Sequence, residues 1–205
     1  MKKLILSLSI LLLLYTQATS TTLQLFEGDS IEMGSDYAND VFYSFANGNV
    51  AEEDRFMWDI AFRTNIMSSS IIINGGSGVV LYTYQNGDTS GWMSADTSGL
   101  SGWKAMNNSL TDWEEGAFSA HAGTHPDYGW CNYNSTTHNL IADSFYIIKL
   151  TDQSFRKIWL VKKESSKNKY HFMYAMLDGS QEKSVVLDCN TYMTKDFVAY
   201  DLFND

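Results

Sequence analysis

Residues 58–78 read WDIAFRTNIMSSSIIINGGSG, and this stretch decides the fold class. Trp58, Ile60 and Phe62 alternate with Asp59, Ala61 and Arg63, the period of a strand with one face on a core and the other polar. Ile71, Ile72 and Ile73 then run into Asn74-Gly75-Gly76, where glycine permits a turn that β-branched residues resist. The reading is a strand, a polar connection, a second strand and a turn.

Outward from it, strand signals dominate. Residues 41–45 lead into Asn47-Gly48, a strong hairpin signal, and 79–84 form another apolar run before Asn86-Gly87. Towards the C-terminus, 144–150, 155–162 and 170–177 are rich in aromatic and β-branched residues and are separated by polar turns, which predicts an antiparallel meander. Residues 184–187 and 197–202 are further candidates. The fold class is therefore all-β with antiparallel sheets. Between the two groups lies an irregular region, 89–139, rich in Gly, Ser, Asn and Trp. A loop that long is unusual in a compact domain, so short elements are expected within it, including a short helix over 110–118. Irregular excursions on a β scaffold are also where binding sites concentrate.

The N-terminal 20 residues read as a secretory signal peptide. Lys2 and Lys3 precede an apolar run, and Thr16-Gln17-Ala18-Thr19-Ser20 supplies small residues for cleavage. The run is short for a bilayer span, and no cysteine follows for a lipid anchor. An exported protein is expected, periplasmic, surface-associated or secreted, with residues 21–205 as one domain. Without Lys2 and Lys3 the chain holds 12 basic against 24 acidic residues, which argues against nucleic acid or an anionic membrane as partner. Cys131 and Cys189 are the only cysteines, and export permits either a disulfide or two separate buried thiols.

Three of the four histidines, His121, His125 and His138, lie in the irregular region; His171 reads as a surface residue of a strand. The His121/His125 loop reads in three ways. It is a polar loop whose imidazoles bond to backbone, a zinc-type site with Asp127 or His138, or an axial-ligand loop for haem iron with Trp103, Tyr128 and Trp130 stacking on the porphyrin. Methionine is a second soft iron ligand, and Met67, Met93 and Met106 fall in or beside loops. No hydrolase or phosphate-binding motif is present, and Glu114-Glu115 are adjacent carboxylates with nothing to fix a glycosidase separation. No catalysis is expected.

Residues 58–78, Phe42-Tyr43-Ser44-Phe45 with Asn47-Gly48, Phe155-Arg156-Lys157-Ile158-Trp159, the run from Tyr170 to Ser180 and the closing Phe197-Val198-Ala199-Tyr200 together carry a resemblance over nearly the whole mature chain. The chain resembles the HmuY family, haem-binding proteins exported by Bacteroidetes-type bacteria. The resemblance implies an all-β carrier that holds haem between two loop-borne His or Met side chains and delivers it to an outer-membrane receptor. By order along the chain it points to His138 with one of His121, His125 or Met106. The alternative is a surface domain of the same fold without haem, using Trp92, Trp103, Trp113 and Trp130 to meet a glycan or protein partner.

Overall fold

The structure, a computed structural model, describes Gly28 and residues 30–204. The proposed signal peptide lies outside the described residues. The strands are β1 (Asn39–Ser44), β2 (Gly48–Asp54), β3 (Ile60–Arg63), β4 (Ile71–Ile73), β5 (Val80–Thr83) and β6 (Cys131–Tyr133). They continue as β7 (Leu140–Ala142), β8 (Tyr146–Lys149), β9 (Phe155–Glu164), β10 (Lys169–Met176), β11 (Lys183–Asp188) and β12 (Phe197–Tyr200). All pairings are antiparallel, and the helical elements are short 3-10 turns. The protein is all-β, as its strand periodicity predicts. Among the described residues no helix is long and apolar enough to cross a membrane.

The opening stretch supplies two strands of a three-stranded sheet, β12-β3-β4, with Ile60 opposite Ile73 and Phe62 opposite Ile71. Asn74 closes the β4 end. Its side chain donates to the carbonyls of Arg55 at 2.6 Å and Trp58 at 2.9 Å, and Gly78 takes the left-handed conformation at φ 96°. The second sheet is built around the ten-residue β9. β10 and then β11 flank one side; along the other, the first half of β9 pairs with β8 and the second half with β7, with β5 and β6 beyond them. The meander is as expected, and β6 and β7 add two short strands that the pattern did not announce.

The two sheets face each other across a core of Ile60, Phe62 and Ile71 against Tyr146, Ile158, Tyr170 and Phe172. The Phe62 ring sits 4.9 Å from that of Tyr170 and 5.1 Å from that of Phe172. The opposite face of the large sheet is covered by the irregular chain after β5. Tyr84 stacks on Phe145 at 4.2 Å and Trp92 meets Trp159 at 6.0 Å. This explains why residues 145–148 are all buried: both faces of β8 are covered. His171 is half-buried, its Nε2 3.1 Å from Glu164 Oε1, beside an irregularity in the β9–β10 ladder.

The helix expected over 110–118 does not form. Ser109 Oγ accepts from the backbone N–H of Asp112, and Asp112 Oδ1 accepts from that of Glu114, so side chains satisfy donors that a helix would use. Only a 3-10 turn, Ala117–Ser119, appears. Gly116 touches β4 so closely that a Cβ would stand 2.1 Å from Ile71 O. Cys131 and Cys189 are free thiols, both buried, so the separate-thiol alternative is the one the structure shows.

Candidate functional site

Two turns bring the candidate residues together. In the first, Asp127 Oδ2 accepts from Gly123 N–H at 3.1 Å and Oδ1 from Gly129 N–H at 2.7 Å. Tyr133 N–H donates to Pro126 O at 2.8 Å, and Tyr128 N–H to Cys131 O at 2.9 Å, which lays 126–128 alongside β6. The second turn joins β6 to β7. Asn134 Oδ1 accepts from Thr136 and Thr137 N–H at 3.0 Å, Asn134 O accepts from His138 N–H at 2.7 Å, and His138 sits in the left-handed region at φ 58°. Asparagine serves here as it does in an Asx-turn, through a short side chain that replaces a backbone acceptor.

The result is a surface row of rings: Tyr128, His125, Tyr133, His138. The His125 ring is 5.3 Å from that of Tyr133, and the His138 ring lies 5.9 Å from that of Tyr133. His125 Nδ1 is 3.2 Å from the Tyr128 hydroxyl, and His138 Nδ1 is hydrogen-bonded to the Tyr133 hydroxyl. Each imidazole therefore has one nitrogen held by a phenol and leaves Nε2 as the nitrogen open to a ligand. A partner on one ring nitrogen fixes the orientation and tautomer that the other presents to a metal. Tyr133 was not among the residues singled out by sequence. Its signal was an aromatic in a short run between two histidines, which means little until β6 is known to exist.

The other candidates lie elsewhere. Met106 is buried in the core, 3% exposed, where its sulfur accepts from the Thr83 hydroxyl at 3.0 Å. Trp130 is fully buried and donates through Nε1 to Ser69 O at 2.9 Å, so its ring faces the interior and not a loop. Trp103 is half-buried against Tyr84, ring centroids 6.0 Å apart, among the residues that cover the other face of the large sheet. His121 is exposed in the loop that precedes the row. Of Trp92, Trp103, Trp113 and Trp130, Trp113 alone is exposed. Among the described residues no three His, Cys, Asp or Glu side chains converge into a metal-holding group.

Tyr128 also lines a cleft of about 410 Å³ with Ser69, Asn107, Glu115 and Ser119. The row of rings and the cleft thus share one residue. Comparison with family models, with curated proteins and with solved structures finds no match for this chain.

Proposed function

We propose that the chain is an exported, non-catalytic haem carrier of the kind its resemblance to the HmuY family implies, and that His125 and His138 are its axial pair. The observation that supports this is the shared arrangement of the two imidazoles: each is exposed, each has Nδ1 held by a tyrosine hydroxyl, and both flank Tyr133. Imidazole is a common axial ligand of haem iron, and a fixed ring with a free Nε2 is the form that coordinates it. Burial of Met106 counts against that thioether, and the hold of Tyr128 on His125 favours that histidine over His121. Tyr128 and Tyr133 supply the aromatic surface beside the pair, in place of Trp103 and Trp130. Haem, if bound, would bring the iron; His125 and His138 would hold it through Nε2 while the Tyr128 and Tyr133 hydroxyls keep Nδ1 of each ring engaged. Delivery to an outer-membrane haem receptor is part of the same proposal.

The test is haemin binding by single and double alanine variants of His125 and His138, with His171→Ala as control. Loss of the low-spin bands in the double variant, with the control unaffected, is the expected outcome. An unchanged spectrum in the double variant would sink the assignment.

A further inference from the structure

The segment after β5 returns to β4 and is fastened there by Asn108. Its side chain donates to Ile73 O at 2.8 Å and accepts from Ile73 and Ala117 N–H at 3.0 Å each. Ser109 N–H donates to Glu115 O at 2.8 Å, and Glu114 is gripped by Arg63 at 3.0 Å and by the Ser68 hydroxyl. These bonds make the walls of the 410 Å³ cleft rigid while leaving several groups unused. Ser119 Oγ is buried with no hydrogen-bond partner, a state that calls for an explanation in a native protein. Asn107 and Glu115 present an amide and a carboxylate from exposed positions on the same lining.

A second hollow of about 350 Å³ shares Asn108, Ser109 and Glu115 with the first and adds Trp113. Trp113 is 69% exposed, and its ring is braced 6.0 Å from that of Phe197. The two hollows adjoin through these shared residues, and we treat them as one groove with Ser119 at one end and Trp113 at the other.

We infer that this groove binds a neutral oligosaccharide, a function separate from the row of histidines and independent of the haem reading. A pyranose offers an apolar C–H face and a rim of hydroxyls that both donate and accept. An indole face covers the first, while planar amide and carboxylate groups take the second in pairs. Glu115 and Asp112 stand at the groove and repel phosphates and acidic polysaccharides. Arg63 engages Glu114 and Asp196, and hexalysine tests whether the remaining Glu115 and Asp112 draw a basic peptide instead. A wholly apolar molecule would leave the Asn107 amide, the Glu115 carboxylate and Ser119 Oγ without partners. Catalysis is not part of the inference, because Glu114 is committed to Arg63 and Ser68.

The experiment is calorimetric titration of the whole mature chain with cellohexaose, xylohexaose, maltohexaose and chitohexaose, with hexagalacturonate and hexalysine as comparators. At least one neutral hexasaccharide binds; hexagalacturonate does not. Trp113→Ala weakens the binding roughly tenfold through loss of the stacking face, and Glu115→Gln alters it without changing the circular dichroism. Trp113 projects into solvent, so its removal leaves the fold and any haemin titration as they were. Heat from hexalysine alone, absence of heat with all four neutral sugars, or sugar binding indifferent to both substitutions would overturn the inference.

Discussion

Lys163 is fully buried and among the described residues forms no ion pair with a carboxylate; its ammonium is held by the carbonyls of Asn65, Ile66 and Ser68 and lies 4.8 Å from the centre of the Tyr170 ring. Burial lowers its pKa from 10.5 to about 8. Below pH 8 folded and unfolded chains both carry the proton; between about 8 and 10.5 the folded chain sheds it first, so this lysine's contribution to stability rises with pH in that window. Lys163→Met leaves three carbonyls without their donor and is expected to cost about 3 kcal/mol or more, measured by urea unfolding at pH 7. Asp59 shows the opposite sign. Burial first, then the carboxylates of Asp201 and Asp152, push it up to about 6 against the hydrogen bond from Leu202 N–H. Between pH 4 and 6 the unfolded chain ionises first, so stability falls as pH rises and is level above that window. Asp59→Asn keeps an acceptor for Leu202 and is expected to stabilise the protein by about 2 kcal/mol at pH 7 while flattening the slope from pH 4 to 6. An Asp59→Asn variant less stable than the parent at pH 7 would contradict this account of the site.

At the scale of elements, Gly116 shows why the irregular region did not read as what it is. The sequence around it suits a short helix, yet a Cβ at 116 would overlap Ile71 O, and contact with β4 overrides local propensity. Gly116→Ala is expected to cost more than about 3 kcal/mol, checked by the thermal midpoint; a shift of a degree or two would show that the segment is not pressed on β4. Strands β3, β4 and β8 to β10 were legible because period two, β-branching and turn residues are local properties. β2 reads GNVAEED, with no apolar alternation, and is a strand because Asn47-Gly48 turns the chain back onto β1. β6 and β7 are three residues each, too short for a pattern to declare them. The histidines were legible as residue types. Which of them stand together was not, since that depends on Tyr133 in β6 and on a turn held by Asn134. Nor did spacing reveal that Met106 and Trp130 face inward, because burial is settled by the opposite sheet.

Among the described residues the molecule is two facing sheets, a separate β1-β2 hairpin and a layer of irregular chain over the large sheet, and this arrangement decides which reactive groups are buried. Both thiols lie in the shared core, and burial pushes that of Cys189 up to about 11 and that of Cys131 higher still. Neither is expected to react with a thiol reagent in the native state, and two are expected to react per chain in denaturant without reductant; none reacting under those conditions would reveal a disulfide. The covering layer buries Trp92 and leaves the 107–138 loops to carry the surface row of rings and the groove beside it. This row is the part of the surface proposed to receive haem. The most direct test of that proposal is a haemin titration of residues 21–205, followed by visible absorption in both redox states. Saturable one-to-one binding with low-spin bands, lost when His125 and His138 are both replaced by alanine, is the predicted result. No Soret shift at micromolar protein would contradict it and leave the fold as a scaffold for a different ligand.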